Sequence, residues 1–425
     1  MNYTESIEYI HSINWCFCKP GLDRTKHLCN MLGDPQKELK FIHVAGTNGK
    51  GSFCSMLDAI LRRAGYKTGM FTSPYIRFFN ERICFDGKPI SDDELAEVTS
   101  FVRPFADSME EKPTEFELIT AIGFEYFRRK GCDVVILETG MGGRLDSTNI
   151  IEAPLISVIT GIALDHTAYL GDTVKKIAYE KAGIIKSGSP ALFGGCDEDA
   201  LDVIRTYANE VGAPLHVTDR ESIRNIRADL FGTKFDFEDL KDIELGILGL
   251  YQPYNAANVK TAVDILNSTG AMSISMGAIY EGFREARWPA RFELIGKDPT
   301  VIYDGAHNPE GIAAAVKSIK AYFPDKKIFV LSGVMKDKDY NCIAKDLSTV
   351  ASRAFTVTPD NPRALDARDY ADVLSSHGID ATPFDTLGEG LDAALKAARS
   401  TNTPLICLGS LYMYSELMGI FRKYQ

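Results

Sequence analysis

A glycine-rich turn set between an apolar strand and an amphipathic helix constrains this chain more than any other feature. Residues 40–44, KFIHV, form a short β-rich run, and AGTNGKGS follows at 45–52. From Ser52 the period changes. Phe53, Met56, Leu57, Ile60, Leu61 and Ala64 recur at helical spacing and predict one apolar face, with Gly65 as the stop. A strand that turns through glycines into a helix N-terminus offers N–H groups and a partial positive charge, the setting a phosphate requires. Glycines let the backbone wrap an anion without Cβ clashes. Lys50 can neutralise terminal phosphate charge, and the hydroxyls of Thr47 and Ser52 can meet phosphate or magnesium. Yet the usual spacing, G-x-x-x-x-G-K-[ST], is broken twice: Val44 stands at the first glycine and Gly51 at the hydroxyl position. A tight turn with a surface lysine is the plain alternative.

The strand–helix alternation continues. KTGMFT (67–72), CDVVILET (132–139) and PLISVIT (154–160) read as strands, the last two as runs of the buried parallel kind. Residues 113–131 and 173–185 read as helices. Such βαβ alternation implies a doubly wound sheet. Residues 214–250 break the pattern with short alternating segments such as KFDFEDL, expected as antiparallel strands at the edge of the first domain. Helical period returns at 254–270, and RWPARFELIG (287–296) marks the expected boundary. A second strand series follows at 300–306, 326–333, 353–359 and 404–410; Asn308 can cap, and Pro309 can open, the first helix between them. The expected fold class is α/β: a P-loop-type doubly wound, mostly parallel sheet domain over 1–290, then a smaller Rossmann-like α/β domain over 291–425. A length of 425 residues suits two cores.

A net charge of −11 argues against nucleic acid as the main partner, which needs a basic footprint. MNYTESIEYIHSINWCF lacks a basic segment followed by a long apolar one, and no stretch reaches the length of a membrane span. Nine scattered cysteines read as reduced thiols of a cytoplasmic protein. Cys16 and Cys18 lie close together without a second pair, so zinc is not expected. A monomer is expected.

Several motifs then fall in a telling order. AGTNGKGS is followed by TSPYIRFFNERI (72–83), ETGMGGRLDSTN (138–149), ALDHTAYLG (163–171), EKAGIIK (180–186) and DGAHNPEG (304–311). Together they resemble the folylpolyglutamate synthases, the folate branch of the Mur ligase family, some of whose bacterial members are also dihydrofolate synthases. The likeness runs from about residue 40 to the end, and the G-T-N-G-K spacing with its extra glycine is the family's own variant. It implies a ligase in which ATP phosphorylates a carboxylate and the amine of L-glutamate attacks the acyl phosphate. The acceptor would be a folate; whether dihydropteroate also serves stays open.

The resemblance also implies roles. Thr47, Asn48, Gly49, Lys50, Gly51 and Ser52 would hold the triphosphate, Asn255 the adenine, and Arg291 the phosphates from the interdomain linker. Tyr251-Gln252 stands where the family commonly has His-Gln, a departure on the adenine side. Glu138 and Ser73 would serve one magnesium; a carboxylate at the C-terminal end of a parallel strand also faces the ligand crevice of such sheets. His166 and Lys181 would serve a second magnesium, Lys181 as a carbamate, for which its amine must first lose a proton. Asp304 would belong to the nucleotide side, and His307 and Ser410 to glutamate. Lys50, His166, Lys181, Asp304 and His307 form the implied catalytic set. On the folate side stand Tyr75, with Phe78 and Phe79, for stacking or for ordinary core packing, Arg82 for a carboxylate, and Arg144 beside the pterin. If the two domains divide these duties, closure would order the site and exclude water. Two other readings are weighed against this one: a peptidoglycan-type or cyanophycin-type Mur ligase, and a nucleotide-binding switch without ligation.

Overall fold

We describe a computed structural model covering residues 1–13 and 21–424; Cys16 and Cys18 lie outside the described residues. The chain forms two compact units. The first comprises Met1–Tyr75, Phe79–Ser222 and Tyr254–Ala286, the second Ile76–Phe78, Ile223–Pro253 and Arg287–Gln425.

In the first unit eight strands make one sheet: β1 (Phe41–Ala45), β2 (Thr68–Phe71), β3 (Ile83–Phe85), β4 (Lys88–Pro89), β5 (Val134–Glu138), β6 (Ile156–Ile159), β7 (Ala191–Phe193) and β8 (Leu215–Val217). Their order is β4-β3-β2-β5-β1-β6-β7-β8. Along this order every pair from β2 to β8 is parallel, and β3 alone is reversed, pairing antiparallel with both β2 and β4. β1 and β5 are buried at every residue, which explains their mainly apolar runs: helices cover both faces of the sheet. The glycine loop leaves the central strand, β1, and enters the helix Lys50–Arg63. That helix was expected to have one apolar face. Instead residues 51–61 are all buried, because the helix Met276–Glu285 also lies against it, so closely that a Cβ at Gly282 would sit 2.5 Å from Ile60. The helix Glu115–Lys130 starts with a Thr114/Glu117 capping box and stops at left-handed Gly131. Two further helices, Asp92–Ser108 and Glu198–Val211, went unnoticed in the sequence although Ser91/Glu94 is another capping box.

The second unit holds two sheets. β9 (Ile223–Asp229), β10 (Gly232–Phe237) and β11 (Leu240–Leu245) form an antiparallel meander. Β12 (Glu293–Lys297), β13 (Thr300–Asp304), β14 (Ile328–Ser332), β15 (Ala351–Thr356), β16 (Asp380–Pro383) and β17 (Leu405–Leu408) follow in the order β12-β13-β17-β14-β15-β16, parallel except for β12. Alternate residues serve opposite faces. Ile302, Val330 and Ile406 pack with the helices Pro309–Tyr322 and Tyr340–Ser348, while Tyr303, Leu331 and Cys407 pack with Leu387–Thr401 and Tyr414–Phe421. The expected antiparallel strands are thus present, but they group with the second unit and not at the edge of the first. The reason lies in contacts far apart in sequence: Thr233 meets the Tyr322 hydroxyl at 3.2 Å, Gly249 donates to that hydroxyl, and Leu250 donates to Ser318. Only β8, at the start of the 214–250 stretch, joins the first sheet. Among the described residues no helix is long and apolar enough to cross a membrane.

Candidate functional site

The first unit gathers its candidate residues at the C-terminal ends of β1, β5 and β6. Gly46 follows β1 so closely under Thr160 that a Cβ would lie 2.0 Å from the Thr160 hydroxyl, so no side chain fits there. Gly49 has φ +87, and a Cβ on it would meet the Asn255 amide oxygen at 2.5 Å. That close approach brings Asn255 to the loop. Thr47 straps the loop to the segment after β6: its N–H donates to Gly161 O (2.8 Å), and its hydroxyl donates to Ala163 O and accepts from Ala163 N, both at 3.1 Å. Asn48 O accepts from Thr160 Oγ1 at 2.7 Å. Gly49 is the N-cap of the helix and supplies no side-chain cap. A helix start without a side-chain cap is the setting in which backbone N–H groups can meet an anion. Gly51 and Ser52 are buried in its first turn.

Lys50 Nζ donates to Gly46 O (3.1 Å) and lies 3.8 Å from Glu138 Oε1. Glu138 ends β5, buried, and its Oε2 accepts from the Ser73 N–H at 3.4 Å. Arg82 Nη1 donates to Ser73 Oγ at 3.0 Å and its guanidinium covers the Tyr75 ring at 5.2 Å. Tyr75 is 38% exposed while Phe79 is 5% exposed, so Phe79 is core and Tyr75 is partly open to solvent. Lys181 is buried at the end of the helix Val174–Ala182, and its Nζ donates to the same Gly46 O at 2.8 Å. Burial, then the nearby Lys50 charge, brings the Lys181 amine down to about 7. Two lysines thus converge on one carbonyl beside one buried carboxylate.

His166 is exposed, with left-handed backbone (φ 49), at the start of the short helix Thr167–Leu170. Its N–H donates to Asp165, whose charge favours the protonated form of Lys181. Arg144 is drawn onto the helix before Lys181: Nη2 donates to Glu180 at 2.8 Å, and the guanidinium lies 5.8 Å from the Tyr179 ring centre. Among the described residues no group of three or more His, Cys, Asp or Glu is gathered as a metal cage. The sparse oxygen set of Glu138 and Ser73 still fits magnesium, which takes one or two carboxylates and fills its shell with water and phosphate oxygens.

The second unit carries the rest. Asp304 ends β13 with its carboxylate buried, accepting from the Tyr251 hydroxyl (2.6 Å), Phe292 N (3.0 Å) and Ala306 N (2.8 Å). Burial raises its pKa, against the pull of those bonds and of Arg291. Arg291 Nη1 donates to Ala290 O at 2.9 Å. His307 Nδ1 lies 2.8 Å from Gly305 O, so that nitrogen carries the proton. Asn308 caps the helix Pro309–Tyr322, as expected. Ser410, buried after β17, accepts from Tyr412 N at 3.1 Å, and its carbonyl accepts from the Tyr303 hydroxyl.

Two family models cover nearly all of this: the Mur ligase middle domain matches residues 44–263 and the Mur ligase glutamate ligase domain matches residues 290–411. The chain belongs to the Mur ligase family. This Mur ligase is 39% identical to the dihydrofolate synthase/folylpolyglutamate synthase of Bacillus subtilis, over 98% of both chains. It is 36% identical to the folylpolyglutamate synthase of Lacticaseibacillus casei, again over 98% of both. A solved chain, Escherichia coli FolC in complex with DHPP and ADP, superposes with a TM-score of 0.89 at 28% identity, covering 100% of this chain and 98% of that one.

Three features of this Mur ligase were missed in its sequence. The first is a buried relay behind the GGRLDST loop. The Thr148 hydroxyl donates to Asp146 Oδ1 (2.6 Å), so His43 Nε2, 2.9 Å away, must donate to Thr148. Met141 N also donates to Asp146, at 2.9 Å, which fixes the loop carrying Arg144. The spacing Asp-Ser-Thr was the available signal, since Asp commonly bonds the backbone two residues on. The second is Tyr251 on Asp304. The third is Glu293, whose Oε2 accepts from Ala290 N (2.8 Å) and Tyr414 Oη (2.7 Å). Those two pairs join residues 53 and 121 positions apart, beyond any local pattern.

Proposed function

We infer that this chain is an ATP-dependent ligase that joins L-glutamate to the γ-carboxylate of tetrahydrofolate or a folylpolyglutamate through an acyl phosphate. One observation carries the reading: Lys50, Glu138, Ser73 and Lys181 meet at an uncapped helix start above a central parallel strand. The names of the Bacillus and Lacticaseibacillus relatives, and the ADP bound by the Escherichia chain, point the same way.

The chemical obstacle is that a carboxylate must attack a polyanion. Residues 47–52 form the phosphate cradle, with backbone N–H groups after Thr47, whose own N–H is held by Gly161 O, meeting the anion, and Lys50 offsets its charge. Magnesium, when bound through Glu138 and Ser73, supplies further charge neutralisation at the phosphate. Asn255, held against Gly49, serves the adenine side. Tyr75 stacks on the flat heterocycle, Arg82 pairs with a folate carboxylate, and Arg144 borders the pterin. In the second unit Arg291 reaches the phosphates, Asp304 serves the nucleotide side, and His307 and Ser410 hold the incoming glutamate. The two functional domains correspond to the two units, with the boundary near residue 287 in place of 291 and residues 223–253 belonging to the second. An amine brought down to about 7, as for Lys181, has a substantial neutral fraction near neutral pH and is open to carbamate formation. That carbamate, with His166, would hold a second magnesium. Native mass spectrometry under carbon dioxide would detect the added mass; an unmodified Lys181 at saturating carbon dioxide counts against it.

We place the enzyme in the cytoplasm as a monomer, with small molecules and no nucleic acid as partners. Phosphate release decides between acceptors. With ATP, magnesium and glutamate, release should depend on tetrahydrofolate. Release only with a muramyl acceptor would replace the folate reading with a peptidoglycan-type one. Dihydropteroate, run beside tetrahydrofolate, tests the second substrate.

A further inference from the structure

We propose that two carboxylate–tyrosine pairs, Asp304 with Tyr251 and Glu293 with Tyr414, are positioning groups that hold the turn at Ala290–Phe292 and so aim Arg291 at the nucleotide phosphates. The proposal rests on the ligase reading and deepens it.

The turn is an unusual one. Ala290 and Phe292 both have left-handed backbone, φ 55 and 46, and neither is a glycine. Residues with a Cβ avoid that region, and a bulky one such as phenylalanine avoids it strongly. Both residues have 0% exposure, so the conformation is locked inside the fold. A strained pair flanking one arginine persists only where the surroundings over-determine it.

The surroundings do so with named bonds. Ala290 N donates to Glu293 Oε2 at 2.8 Å, and the Tyr414 hydroxyl donates to the same oxygen at 2.7 Å. Phe292 N donates to Asp304 Oδ2 at 3.0 Å, and the Tyr251 hydroxyl donates to that oxygen at 2.6 Å. Ala290 O accepts from Gly305 N at 2.8 Å and from Arg291 Nη1 at 2.9 Å. Each carboxylate therefore grips one backbone N–H beside Arg291 and is itself gripped by a phenol. Gly305 completes the fit: a Cβ there would lie 2.5 Å from Arg291 Nη1, so the guanidinium rests directly on the loop after Asp304.

The chemistry of the two phenols suits the task. Each hydroxyl has a carboxylate as its acceptor, and burial together with that negative neighbour raises both phenols, so each keeps its proton and donates. Bonds of this kind, with one ionised partner, are the strong ones. Asp304 is 2% exposed with donors on both oxygens, so it acts on the nucleotide through Arg291.

The test is a double-mutant cycle on the full chain, with thermal midpoints recorded for each variant. Tyr251→Phe and Tyr414→Phe each remove one hydroxyl and little else. Each should lower kcat/KM for ATP about tenfold while leaving KM for the folate acceptor unchanged. In an Arg291→Ala background the same substitutions should cost less than about twofold, because the group they aim is gone. A purely structural role would give the same loss with and without Arg291, and that result, or unchanged ATP kinetics in both phenylalanine variants, overturns the proposal. Either phenol can be tested alone should the other variant fail to fold. The affinity for a fluorescent ATP analogue is measured through the same cycle. If the wild-type chain binds nucleotide but does not ligate, the ligase reading fails while the cycle still judges the positioning claim.

Discussion

At the scale of single residues, Gly49 is the most exacting position in the loop. Its φ of +87 and the 2.5 Å gap from its Cβ site to Asn255 leave alanine both strained and obstructed. Gly49→Ala is therefore expected to raise KM for ATP at least about tenfold, from a barrier or binding loss above about 1.4 kcal/mol, while the acceptor's KM holds. Titration of ATP in a steady-state assay checks it. His43 gives a pH signature. Burial and, secondarily, Lys186 push it from 6.5 down to about 3, so it stays neutral in the fold while the unfolded chain protonates. The unfolded state then binds more protons between those two values, and stability must fall as pH drops through that window, by up to about 1.4 kcal/mol per pH unit. His43→Gln, which can still donate to Thr148, should flatten that slope in urea melts at stepped pH; an unchanged slope would remove His43 as the cause. Lys50 and Glu138 were readable in the sequence because a glycine loop and a strand end are local signals. His43, Tyr251 and Glu293 were not, since their importance lies in partners distant along the chain.

At the scale of elements, the strands that build the site were legible wherever a run was apolar on both faces, as in β1 and β5. The helix Asp92–Ser108 was not, although it is capped like its neighbours; Pro104 within it interrupts the usual helical signal. The helix Glu115–Lys130 depends on a pair that no periodicity reveals. Arg24 Nε and Nη2 clasp the buried Glu117 carboxylate at 2.9 and 2.7 Å. Removing the arginine leaves a buried charge without its cation, so Arg24→Ala should destabilise the protein by about 3–5 kcal/mol. Arg24→Ala with Glu117→Gln should recover part of that loss, and urea denaturation distinguishes the two. Thr114→Ala, which loses only the helix cap, should cost nearer to about 1 kcal/mol.

At the scale of the whole molecule, the two-part α/β plan could be read from strand–helix alternation and from the break near residue 287. The grouping of β9–β11 with the second unit could not. It depends on Tyr322 and Ser318, which lie more than sixty positions beyond the segment they bind. The family motifs gather at strand ends: the glycine loop, Glu138 and Lys181 share one end of the first sheet, and Asp304, His307 and Ser410 follow strands β13 and β17 of the second. The central claim is that the chain activates a folate carboxylate by transferring phosphate to it. Folate carrying heavy oxygen in its γ-carboxylate, incubated with ATP, magnesium and glutamate, tests this most directly. The account expects one labelled oxygen in the phosphate released for each glutamate joined. Glutamate incorporation accompanied by wholly unlabelled phosphate would contradict it.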